Sequence, residues 1–147
     1  MSNKNLRKFS QYLQEAADVF QKAKGFDNWR FPKKDELTRS ATNLNYERAQ
    51  QAKVIDLPAY LYKKDTSKNG LFEPYTRADI TQNQLPSNAK KILQGFTKHA
   101  PMAYVTVEKI RGKYQIIDGN TRTAVAAPLG VKVKALVITP DMYDYRD

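Results

Sequence analysis

Five consecutive residues, Asp118-Gly119-Asn120-Thr121-Arg122, bring together a carboxylate, a glycine, two small polar side chains and a guanidinium in an order suited to holding an anion. They join a β-forming run, Tyr114 to Ile117, to a helix-forming run whose end is marked by Pro128 and Gly130. Glycine admits backbone conformations that other residues avoid, and the amides of a helix's first turn have no partner inside the helix. Those amides point outward at the positive end of the helix dipole. Arg122 adds a planar fork matched to phosphate oxygens. Asn120 and Thr121 either donate to the same anion or complete the turn. Asp118 has two readings: a cap for the free amides, or a ligand for the metal or water of a phosphodiester hydrolysis. Among the acids that precede the motif, spacing marks none of Glu108, Asp79, Glu73 and Asp56 as a second metal ligand or base.

The elements that must position this motif follow from periodicity. Leu6, Phe9, Leu13, Ala16, Ala17, Phe20 and Ala23 recur at spacings of three and four, which predicts an amphipathic helix over about residues 5–24, ended by Gly25. The next stretch, FDNWRFPKK, interleaves Trp29 with Arg30, Lys33 and Lys34. Such a mixture suits stacking on nucleobases with phosphate contacts from the three bases, or anchoring of a connector by its aromatics. Residues 35–52 have helix-compatible composition. VIDLPAYLY, residues 54–62, reads as a strand that Pro58 confines to an edge or breaks. Residues 63–70 form a polar turn. Ser87 is placed to cap a helix whose buried side holds Ala89, Ile92, Leu93 and Phe96. Met102 to Ile110 and Lys113 to Ile117 form a hairpin about Arg111-Gly112. On a final strand from Val131 to Ile138, Lys132 and Lys134 share one face, where they extend a phosphate-binding surface or guard an edge. The expected class is α+β: a helical extension over residues 1–53 packed on a domain over residues 54–147.

Composition limits the chemistry. The chain has 147 residues, 41% hydrophobic and 27% charged, an ordinary balance for one globular domain. Without cysteine, neither disulfides nor thiolate catalysis are available. His99 is the sole histidine, so no histidine-rich metal centre is possible. No apolar run approaches the roughly 18 residues of a membrane span, and the N-terminus lacks the apolar segment of a secretory signal. A soluble, cytoplasmic protein with no membrane partner is expected. The net charge of +10 is spread evenly, with 11 Lys/Arg against 6 Asp/Glu in residues 1–53 and 14 against 9 in the remainder. It fits a polyanionic partner such as nucleic acid, or a solubilising surface.

The order of strand, helix, hairpin, DGNTR helix and strand, with YQIIDGNTRTAVAAPLGVKVKALVI at its heart, resembles the ParB/sulfiredoxin superfamily over about residues 54–138. The resemblance implies a small mixed sheet with short helices and a phosphate site made by Gly119, Asn120, Thr121 and Arg122. It is closest to the ParB-like nuclease branch, in which Asp118 and Arg122 would be catalytic and Asp118 would hold Mg²⁺ or another divalent metal. Sulfiredoxin chemistry requires a cysteine that this motif lacks. The helix-turn-helix domain and second nucleotide motif of partition proteins are not found after Ile138, and residues 1–53 lie outside the resemblance. Three readings stay open: a nucleic-acid-directed protein that binds DNA or RNA or cleaves it with a metal; a nucleotide-binding switch or phosphotransferase that takes an NTP; and a non-catalytic interaction or inhibitor protein of phage type that binds a protein partner. The oligomeric state is not specified.

Overall fold

Along the last strand Ala135 and Val137 join one buried cluster and Leu136 and Ile138 another, so this strand is covered on both faces. A computed structural model of the chain, describing residues 18–62 and 73–144, shows how. Residues 18–23 are helical and are termed α1. In chain order there follow β1 (Trp29–Arg30), α2 (Lys34–Ser40), α3 (Tyr46–Ala49), β2 (Lys53–Asp56), a 3₁₀ turn (Ala59–Tyr62), α4 (Arg77–Thr81), α5 (Ser87–Thr97), β3 (Met102–Ala103), β4 (Val105–Ile110), β5 (Lys113–Asp118), α6 (Asn120–Leu129) and β6 (Lys134–Ile138), with a closing 3₁₀ turn (Pro140–Met142). The chain is of the α+β class expected.

Four strands form one mixed sheet in the order β2-β6-β4-β5. β6 runs parallel to β4 and antiparallel to β2, while β4 and β5 are a hairpin. The hairpin turns at Arg111 (φ 53°) and Gly112 (φ 78°), both left-handed, as a two-residue turn matched to strand twist requires. One face of the sheet is covered by Ala23, Phe26, Leu61, Ile80, Phe96 and the Ala124-Val125-Ala126 run of α6. The other is covered by Leu37, Ala41, Leu44 and Ala49 of the α2–α3 region. The hairpin register carries one irregularity. Thr106 pairs with Asp118 and Val107 with Ile116, so Ile117 is an extra residue on β5.

Several expectations are corrected in detail. The strand expected over 54–62 ends at Asp56, before Pro58, so the proline marks a break, and β2 is also an edge strand. The final strand starts at Lys134 and not at Val131, although Val131 and Val133 are buried on either side of exposed Lys132. Residues 35–52 break into two short helices. Pro86, not Ser87, occupies the N-cap of α5, and no side chain caps it. Leu6, Phe9, Leu13, Ala16 and Ala17, and the turn at 63–70, lie outside the described residues.

Trp29 serves as an anchor. Its ring meets Phe26 edge-on at 5.2 Å and Phe96 at 6.0 Å, and Phe26 meets Phe96 at 4.8 Å. The sole histidine is structural too: the His99 Nε2–H donates to the carbonyl of Lys22 at the end of α1 (2.8 Å), and the Asn28 amide donates to the carbonyl of His99. Tyr143 pairs with Leu44 and donates its hydroxyl to Glu108. Phe96→Ala is expected to cost about 3–5 kcal/mol in urea unfolding. Trp29→Phe, which removes a buried indole N–H that has no acceptor, is expected to stay within about 1 kcal/mol of wild type.

Candidate anion-binding site

Gly119 is the hinge of the site. It is the N-cap of α6 at φ 104° and ψ 20°, a left-handed conformation. Its carbonyl accepts from both the backbone N–H (3.0 Å) and the hydroxyl (2.9 Å) of buried Thr123, which fixes the angle at which the helix leaves the strand. A Cβ at this position would stand 2.8 Å from Nη2 of Arg122 and 2.8 Å from Cγ2 of Val105. Arg122 therefore folds back over the start of its own helix, into space that only glycine leaves open. No side chain caps α6, and the amides of its first turn face a cleft of about 360 Å³ lined by Ile92, Ile117 and residues 118–122.

The bulge at Ile117 aims the carboxylate. Because Asp118 stands directly opposite Thr106, its side chain shares the face on which α2 packs. There its Oδ2 lies 3.7 Å from Nη2 of Arg122 and 4.0 Å from Nη2 of Arg39, a residue of α2. Asp118 is thus an ion-pair partner and not the cap of α6. Arg30 and Glu36 form a bidentate pair beside it (2.8 and 3.2 Å), and Glu36 also accepts from the backbone N–H of Lys33. The bond from Arg30 holds Glu36 down at about pH 2, opposed by burial and helped by the Lys33 amide and by Arg122. Burial pushes the Arg122 guanidinium below its ordinary value; Asp118 and Glu36 oppose this, and Arg30 and Arg39 add to it. The guanidinium stays charged even so.

Hydrogen bonding around this charge is incomplete. Nε and Nη2 of Arg122 are buried and have no acceptor, the buried Oδ1 of Asn120 has no donor, and neither does the hydroxyl of Thr106 have a partner. A half-turn of the Asn120 amide would present its N–H₂ at the same place. Buried polar groups are satisfied in most proteins, so the exceptions at Asn120 and Arg122 on one cleft, with Thr106 opposite Asp118 beside it, are informative.

Of the residues singled out in sequence, Asp118 to Arg122 all line the cleft; Arg30 does not, but pairs with Glu36, whose charge acts on Arg122. Lys33 and Lys34 sit exposed at the start of α2, Lys34 facing a different depression beside Tyr46 and Asp144. Lys132 and Lys134 do not line the cleft. Both face Asp56, at 3.5 and 2.6 Å, and the Lys134 bond lowers the Asp56 carboxyl and raises the lysine. Glu36 and Arg39 were not singled out. Nothing in KKDELTR marks them, since only the packing of α2 against β5 brings them to the motif.

The residues present do not fit a divalent metal. Asp118 faces two guanidinium groups, Glu36 is held by a third, and among the described residues no group of three or more His, Cys, Asp or Glu side chains stands close enough to hold one. In comparisons with known proteins, no family model matches this chain, and no curated protein or solved structure matches it either. No described helix is long and apolar enough to cross a membrane.

Gly119→Ala is expected to lose on the order of 2–4 kcal/mol in urea unfolding, because the added methyl meets buried Val105 at a strained φ and evicts Arg122. Glu36 has a folded-state pKa below its ordinary 4.5, so it contributes stability above that pH that is lost as pH falls toward about 2. The stability gap between wild type and Glu36→Gln should therefore be constant at neutral pH and shrink across that acid window.

Proposed function

We propose that this chain binds the phosphate groups of a nucleic acid at the start of α6, with Arg122 and the first-turn amides as donors. The observation that carries the reading is a buried guanidinium whose Nε and Nη2 have no acceptor, on a cleft at the start of a helix whose first-turn amides have no partner within the helix. A phosphate supplies oxygens to both sets at once. The resemblance of DGNTR to the ParB/sulfiredoxin phosphate motif supports the same ligand, and the net charge of +10 supports a polyanionic one. Hydrolysis forms no part of the proposal, because Asp118 is engaged by two arginines. A free nucleoside triphosphate offers the same oxygens and is the alternative ligand of this site.

Fluorescence anisotropy with labelled single-stranded and duplex DNA and RNA across a salt series tests this. Affinity should fall linearly on a log–log plot, and Arg122→Gln should reduce the slope by about one. No salt-dependent binding to any of the oligonucleotides would reject it, and calorimetric binding of an NTP alone would replace it with the nucleotide reading.

A second reading, a protein-interaction role, is favoured by one separate observation. Tyr60 and Ile110, 47% and 42% exposed, line a groove of about 650 Å³ at the hairpin end of the sheet, together with Leu61 and Tyr114. A partner held there would be lost with Ile110→Asp and indifferent to Arg122→Gln.

A further inference from the structure

The geometry points to Asp118 as a built-in stand-in for the ligand, and to Arg39 of α2 as the second half of a two-arginine clamp that closes on phosphate when the carboxylate yields. This inference rests on the phosphate-binding reading and specifies how the site works.

Three observations carry it. First, Asp118 is close to both guanidinium groups but bonded to neither: 3.7 Å to Arg122 and 4.0 Å to Arg39 exceed hydrogen-bonding distance. Its charge holds two like-charged groups together while leaving Nε and Nη2 of Arg122 without an acceptor. Second, the charge does not balance. Arg30 and Glu36 neutralise one another in a bidentate pair, which leaves two guanidinium groups sharing one carboxylate, and so one positive charge for a guest. Third, Thr106, 1% exposed and directly opposite Asp118 on the same face, keeps a hydroxyl without a partner, so the unmet polar capacity extends beyond the helix start.

The two arginines approach from different sides. Arg122 is 15% exposed and lines the cleft; Arg39, 67% exposed, lies outside the lining and is linked to it by Asp118 at 4.0 Å. The Arg30–Glu36 pair sets the position of α2, and Arg39 lies three residues beyond Glu36 on the same helical face. A phosphate offers more acceptor oxygens than the carboxylate and can bond both forks. Asp118 and the guest compete for the same cations.

The sign of this competition separates it from a metal-ligand or base role for Asp118, either of which predicts loss of function on substitution. In the full-length protein, Asp118→Asn should bind a short single-stranded oligonucleotide about five-fold or more tightly than wild type at low salt, the scale expected for removing one charge some 4 Å away. Arg39→Gln, a change at an exposed side chain, should weaken binding by a similar factor. The same titrations with inorganic phosphate distinguish the source: a parallel rise in its affinity assigns the clamp to any phosphate group, and a rise confined to the oligonucleotide assigns it to the nucleic-acid backbone. If wild type binds with the expected salt dependence but Asp118→Asn binds equally or more weakly, or Arg39→Gln binds as wild type does while circular dichroism shows both variants folded, the clamp is overturned and phosphate binding stands. If wild type binds neither probe, both fall together.

Discussion

The arrangement depends on one close approach, the Arg122 guanidinium lying over Gly119. That approach requires a residue with no Cβ, a left-handed backbone at the strand-to-helix junction, and a carbonyl doubly held by Thr123. A Cβ at Gly119 would stand 2.8 Å from Nη2, in the space the guanidinium occupies. With all three in place it is desolvated, kept charged by its neighbours, and left with donors that the protein does not satisfy. A buried guanidinium is costly unless it is paired, and the pairing here is electrostatic more than hydrogen-bonded.

That same junction needs the sheet to deliver Asp118 to the correct face. The extra residue at Ile117 does so: without it the alternation of β5 would turn Asp118 toward α5 and α6, away from α2. A bulge beside a functional cleft is a common way to redirect one side chain without disturbing the ladder. The cost is small because β5 is an edge strand.

Total charge does not locate the site. Lys132 and Lys134 are paired with Asp56, and Arg48 is tied to the carbonyls of Asp141 and Tyr143 and to the carboxylate of Asp144, fastening the last described residues to α3. Arg30 spends its fork on Glu36. What distinguishes the cleft is the local imbalance of two guanidinium groups over one carboxylate, with α2, from the region outside the family resemblance, supplying half of it.

The motif, its helix and the hairpin were legible in the sequence because each depends on local chemistry: glycines at left-handed positions, apolar alternation, and a proline and glycine closing a helix. Residues 118–122 could be named for the same reason. The breaks were less legible, since ending β2 at Asp56 and starting β6 at Lys134 depend on which neighbour each strand finds. The roles of side chains were least legible of all. Arg39 and Glu36 lie some eighty residues from the motif, and Lys132, Lys134 and Arg30 acquire partners that no local pattern announces. Sequence specified which residues could hold an anion; only the packing of α2 across the sheet decided which charges remain uncompensated, because electrostatic balance is a property of distance through space and not of spacing along the chain.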